Sequence, residues 1–183
     1  LTNRFEEALE SYSRSLEIER EIGNRPYEAT TLHNIGIVYQ ETKRFEEALE
    51  SYNRSLEIER EIGNRADEAS TLHQIGIVYQ KINHFEEALE SYSRSLEIKK
   101  EIGNRAGEAT TLHQIGMVYQ KTNHFEEALE SYNRSLEIER EIGNRASEAS
   151  TLHQIGMVYQ KTNHFEEALE NYNRSLKIER EIG

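Results

Sequence analysis

At 183 residues with a formal net charge of −12, the chain is acidic, contains no Cys or Trp, and has a single Pro. The missing Cys excludes disulfides, thiolate metal sites and cysteine nucleophiles, and the acidic balance disfavours nucleic acid and anionic membranes, which reward clustered Lys and Arg. A charged share of 31% beside a hydrophobic share of 36% points to an all-α structure with a thin shared core and much solvated surface.

Residues 1–24 read as a leading second-type helix, or half repeat, because the string Phe-Glu-Glu-Ala-Leu-Glu-Ser at Phe5 returns at Phe45, Phe85 and Phe125. Its first six residues open once more at Phe165. Glu-Ile-Gly-Asn-Arg begins at Glu21, Glu61, Glu101 and Glu141, and a Thr-Leu-His string begins at Thr31, Thr71, Thr111 and Thr151. Every spacing is 40 residues, without insertion. Four helix-pair repeats follow the half repeat, over 25–64, 65–104, 105–144 and 145–183, so that 1–183 forms a single array. Residues 85–124 and 125–164 differ only at Ser93/Asn133, Lys99/Glu139, Lys100/Arg140, Gly107/Ser147 and Thr110/Ser150. Tandem duplication and consensus design both account for such near-identity.

Within a unit, the first helix is predicted over roughly 66–80, with Ala69, Leu72, Ile75, Gly76, Val78 and Tyr79 on an apolar stripe. The second is predicted over roughly 84–102, with Phe85, Ala88, Leu89, Tyr92, Leu96 and Ile102 on one face. Asn83 followed by Glu86 has the spacing of an N-cap and its reciprocal partner, as do Asn123/Glu126 and Asn163/Glu166. Gly63, Gly103 and Gly143 stand where the second helix stops, and Pro26 falls in the first turn of a first helix. The total is nine helices, five of the second type and four of the first. One repeat cannot bury both of its stripes alone, whereas stacked neighbours can.

These residues resemble the tetratricopeptide repeat. In the unit that opens near Arg25, Leu32, Ile35, Gly36 and Tyr39 match the family's first-helix pattern, and Ala48 and Tyr52 match its second. The family's usual length is about 34 residues, and its usual Pro after the second helix is replaced by Arg60. The longer unit resembles the 40-residue subgroup found in bacterial, especially cyanobacterial, proteins and related to kinesin light chain. The resemblance implies an all-α, right-handed superhelical solenoid of antiparallel helix pairs. It also implies that Gly36 marks a close helix approach where a side chain would clash.

The implied role is a scaffold that holds a peptide or helix of another protein in a concave groove lined by the first helices. Carried over to this sequence, that groove is lined by Thr30, His33, Ile37, Gln40 and Glu41; by Ser70, His73, Ile77, Gln80 and Lys81; by Thr110, His113, Met117, Gln120 and Lys121; and by Ser150, His153, Met157, Gln160 and Lys161. The Lys, Asn and Arg clamp that grips a terminal carboxylate in chaperone-binding relatives has no counterpart, because His and Ile or Met stand in its place. Ile and Met at these places have a second reading, as packing against neighbouring repeats. His33, His73, His113 and His153 form a ladder whose two readings are pH-sensitive binding and local hydrogen bonding. His84, His124 and His164 are expected to face solvent. Glu86, Glu87, Glu90, Glu97 and Glu101 are expected on a solvated face of the second helix, with Arg94 supporting Glu90 at i+4.

Near-identical units in a row do not bring unlike groups together in one pocket, so no enzyme activity, cofactor or metal is expected. The alternative role is self-association into a homo-oligomer. It follows from an opening helix without a partner, which leaves Leu9, Tyr12 and Leu16 undercovered, and from the lack of polar caps. Leu1 in place of Met suggests an excised piece. No apolar run approaches the roughly 20 residues that cross a bilayer and no signal peptide opens the chain, so the cytoplasm is the expected location.

Overall fold

The computed structural model describes residues 2–183, with side chains from residue 4 onward. Nine α-helices and no strand occur among the described residues: α1 (Thr2–Glu21), α2 (Arg25–Glu41), α3 (Phe45–Glu61), α4 (Arg65–Lys81), α5 (Phe85–Glu101), α6 (Arg105–Lys121), α7 (Phe125–Glu141), α8 (Arg145–Lys161) and α9 (Phe165–Ile182). Two compact units divide them, residues 1–98 and 99–183.

The three-residue connections are so short because each one ends one helix and begins the next. After α3, Gly63 takes φ +72, its N–H reaches the Arg60 carbonyl at 3.2 Å, and the Asn64 N–H reaches Glu59 at 2.8 Å. This pair of bonds is the left-handed C-terminal cap, which glycine enters without steric cost. Asn64 then caps α4, its side chain accepting from the Asp67 N–H; Asn104 and Asn144 do the same for α6 and α8.

The other turn, from first helix to second, has the same geometry with a different residue. Asn83, Asn123 and Asn163 have φ of 61 to 62, and the His84 N–H reaches the Tyr79 carbonyl at 2.9 Å. These asparagines therefore close the first helix rather than cap the second, which corrects the capping reading of Asn83/Glu86, Asn123/Glu126 and Asn163/Glu166. The N-cap positions of α7 and α9 fall to His124 and His164, which make no side-chain capping bond. Asn tolerates the left-handed region better than any other residue with a side chain, and that need outweighs its capping value here.

Each helix pair closes on a tyrosine. A Cβ added at Gly36 would lie 2.6 Å from the Tyr52 ring, and one at Gly76 would lie 2.6 Å from Tyr92. Gly116 and Gly156 stand in the same relation to Tyr132 and Tyr172. The close approach is thus helix backbone against an aromatic face, and Tyr52, Tyr92 and Tyr132 are completely buried. Ser55 locks the pair by donating to the Ala29 carbonyl at 2.7 Å, as Ser95 does to Ala69, Ser135 to Ala109 and Ser175 to Ala149.

In residues 1–98, Ala48, Tyr52, Leu56, Leu72, Ile75 and Val78 form one core cluster; Leu16, Leu32, Ile35 and Ile58 form another. Leu16 is buried in that second cluster, and Leu9 and Tyr12 pack against it half-buried. Leu16 is therefore covered, contrary to the sequence expectation, because α2 and Ile58 of α3 close over it. In residues 99–183, Tyr132, Leu136, Leu152, Ile155 and Ile178 form the corresponding core.

Candidate partner-binding surface

The first helices divide their side chains among three depths. Thr30, Ser70, Thr110 and Ser150 are exposed, as are Glu41, Lys81, Lys121 and Lys161. Ile37, Ile77, Met117 and Met157 are half-buried. Ile37 packs against the Tyr52 cluster and Met117 against the Tyr132 cluster, so these side chains both pack and present an edge to solvent. Gln40, Gln80 and Gln120 are buried, and their side-chain oxygens accept from Tyr52, Tyr92 and Tyr132 hydroxyls at 3.3, 2.8 and 2.8 Å. A buried phenol needs such an acceptor, and this bond turns the glutamines inward. Gln160 makes the same bond to Tyr172 but is exposed.

Of the first-helix histidines, His73 is buried, His33 and His113 are half-buried and His153 is exposed. His33 sits 5.3 Å from the Tyr52 ring, and its Nδ1 pairs with the Thr71 hydroxyl at 2.8 Å. His113 repeats the arrangement with Tyr132 and Thr151, and His73 and His153 lie against Tyr92 and Tyr172. Burial pulls the His33 imidazole below its usual pKa, partly offset by Asp67, and it pulls His113 down as well. Both are neutral at neutral pH. His84, His124 and His164 are exposed.

Behind the His33 and His113 rings lies a polar chain that charge composition did not suggest. Thr71 donates to Glu59 Oε1 at 2.8 Å, and Ser55 donates to the same oxygen at 2.9 Å. Thr151 and Ser135 treat Glu139 alike, each at 3.0 Å. Glu59 and Glu139 are 1% and 2% exposed. Burial raises both carboxyl pKa values, against the lowering effect of those hydroxyls. At the equivalent place in α5 stands Lys99, also buried, whose Nζ donates to Thr111 at 2.8 Å. Burial lowers its pKa to about 8.

A second set of buried carboxylates fastens the turns. Glu68 accepts from Arg60 Nε at 2.9 Å and from Arg65 Nη1 at 2.6 Å, and Glu148 accepts from Arg140 and Arg145 in the same way. Burial alone would raise these carboxyls, but the two guanidiniums outweigh it and hold them below the usual range. Glu86, Glu87, Glu90, Glu97 and Glu101 are exposed, as expected.

A family model of the tetratricopeptide repeat matches residues 1–61, 29–101, 67–141 and 107–181. The chain is a member of the tetratricopeptide repeat family. Repeats of this family generally mediate protein–protein interaction and scaffolding, and the fold is typically non-enzymatic. Among solved structures, BtubC (BKLC) from P. vanneervenii is 20% identical with a TM-score of 0.91, over 98% of this chain and 74% of that one. An array of nearly identical TPR-like repeats from Podosopora anserina, of the kinesin-light-chain kind, is 18% identical with a TM-score of 0.80, over 99% and 90%. The apo form of RapI is 22% identical with a TM-score of 0.88, over 97% of this chain and 49% of that one. At these identities the likeness establishes the fold: all-α, built of tetratricopeptide-like helix pairs. No curated protein sequence matches the chain.

Among the described residues no cluster of three or more His, Asp or Glu is placed to hold a metal ion, and no helix is long and apolar enough to cross a membrane.

Proposed function

We propose that this tetratricopeptide array binds a peptide or helix of a partner protein along the surface of its first helices. The observation that carries this reading is the layered first-helix surface. In residues 1–98, exposed Thr30, Ser70 and Lys81 accompany the half-buried Ile37 and Ile77, and in residues 99–183 exposed Thr110 and Lys121 accompany half-buried Met117. An apolar strip edged by hydroxyls and ammonium groups suits an amphipathic segment with acidic and apolar side chains. The second helices offer instead a charged face that pairs with itself. Glu90–Arg94 and Glu130–Arg134 stand 4.0 Å apart and Glu170–Arg174 stand 3.8 Å apart, all at i+4. Buried Gln40, Gln80 and Gln120, with half-buried His33 and His113, act beneath the surface, as its support.

Affinity capture with the intact chain and with Lys81→Glu/Lys121→Glu tests the reading. The expected result is loss of the captured partner at an unchanged helical signal and melting temperature. Capture that survives these changes and fails on Arg94→Glu/Arg134→Glu would assign binding to the second helices. A self-associating role has one observation in its favour, the exposed Phe165, Leu169 and Leu176 of α9. Light scattering over a concentration series decides it, since a strict monomer at high concentration removes that role.

A further inference from the structure

Two recesses open beside the first helices, one in each compact unit. In residues 1–98 the recess measures about 90 Å³ and is bounded by Thr30, His33, Glu59, Asp67 and Ser70. In residues 99–183 its counterpart measures about 130 Å³ and includes Thr110, His113, Glu139, Ser147 and Ser150. Thr30, Asp67 and Ser70 are exposed and form the rim of the first, while Glu59 is buried and His33 half-buried beneath them.

The carboxylates at the inner ends are only half satisfied. Oε1 of Glu59 and of Glu139 each accepts two hydroxyl bonds. Oε2 of each is buried and has no partner among the described residues. A buried acceptor left unpaired is costly, and more so when it bears charge. The terminal torsion of a glutamate is broad, so a small turn of the carboxyl presents Oε2 to a donor brought into the recess.

Several features specify that donor. A second carboxylate, Asp67, stands at the rim close enough to act on both His33 and Glu59. His33 is neutral and already tied to Thr71, so it does not oppose a positive charge. The recess holds more than the ≈ 10–15 Å³ that one water needs, so an ammonium or guanidinium head fits. The ligand set for a metal ion is lacking among the described residues. The chain also supplies its own contrast: at the equivalent place Lys99 puts a cation where Glu59 and Glu139 put an anion, within the same helix-pair architecture.

We propose that the recess at Glu59 and Asp67 is a subsite for a basic side chain, lysine or arginine, of a bound peptide, and that the recess at Glu139 is a weaker copy of it. The inference rests on the protein-binding reading above and adds a charge rule to it. Partners place a basic residue over Glu59. Ser147 in place of Asp67 removes one of the two attracting charges from the second recess and weakens it. Where Lys99 replaces the glutamate, the attraction is lost.

NMR titration of the full chain with the methylamides of N-acetyl-lysine, N-acetyl-arginine and N-acetyl-norleucine tests this. The two basic probes should give saturable shifts at residues 30, 33 and 70, with weaker ones at 110, 113 and 150, and the norleucine probe none. Glu59→Lys copies the residue already borne at position 99. It should keep the helical spectrum and weaken binding at residues 30, 33 and 70 by at least about tenfold, leaving the second set intact. Asp67→Ser should reduce the first recess to the affinity of the second. Glu59→Gln, of the same shape, gives the same readout if Glu59→Lys fails to fold. Equal shifts with norleucine, shifts unchanged in both Glu59 variants, or no shifts at all would overturn the subsite. Those results leave the protein-binding reading standing if capture still depends on Lys81 and Lys121. Loss of that dependence with the probe shifts intact would sink the reading and spare the subsite.

Discussion

Lys99 occupies the buried place that Glu59 and Glu139 fill elsewhere, and its Nζ donates to the Thr111 hydroxyl. Its pKa falls from 10.5 to about 8, so holding its proton at neutral pH costs the folded chain on the order of 3 kcal/mol. Between pH 8 and 10.5 the unfolded chain keeps a proton that the folded chain has released, so this residue makes stability rise with pH across that window. Lys99→Met should therefore stabilise the chain at pH 7 by about 1–3 kcal/mol. In urea unfolding, the unsubstituted chain should gain stability from pH 7.5 to 9.5 while the variant stays flat; a flat profile in both would mean that Lys99 is not desolvated. The inward place of Glu59 was legible in spacing, since Tyr52, Ser55, Leu56 and Glu59 fall at i, i+3, i+4 and i+7. Charge hid it: the residue read at that place in the second helix over 84–102 was Lys99, and the neighbouring glutamates belong to solvent. The inward turn of Gln40, Gln80 and Gln120 was not legible, because it depends on a tyrosine hydroxyl twelve residues further on.

At the level of elements, the two turns per repeat share one geometry and differ in the residue that bears the positive φ. Glycine serves after the second helix; Asn83, Asn123 and Asn163 serve after the first, and Lys43 serves in the first repeat with φ 60. A lysine pays about 1 kcal/mol or more for that conformation, where asparagine and glycine pay less. Lys43→Asn should raise stability by about 0.5–1 kcal/mol, measured by thermal unfolding, and no change would mean the turn relaxes around Lys43 without strain. Helix number and approximate bounds were legible from the forty-residue strings and from Gly63, Gly103 and Gly143. Asn83 was misread because an asparagine three residues before a glutamate fits a cap as well as a left-handed turn, and only backbone geometry separates the two. The Arg–Glu–Arg fastenings at Glu68 and Glu148 contribute stability above the usual carboxylate range. That contribution fades as pH falls through their lowered pKa values.

For the molecule as a whole, near-identity of the repeats made the family legible while leaving the surface chemistry nearly uniform. The differences between units therefore hold most of the information about binding. Lys99 among the glutamates, Ser147 in place of Asp67, and Met117 in place of Ile77 alter charge or shape where the first helices meet solvent or the recess behind them. The net charge of −12 resides largely on exposed second-helix glutamates, whereas three of the four first helices end in a lysine and α2 ends in Glu41. The most direct test of the first-helix binding surface places a photoactivatable side chain at Lys81 or Lys121, and in parallel at Glu97 or Glu137 on the second helices, in the full chain. The account predicts that one partner cross-links from positions 81 and 121 and not from 97 and 137; cross-links from 97 and 137 alone would contradict it.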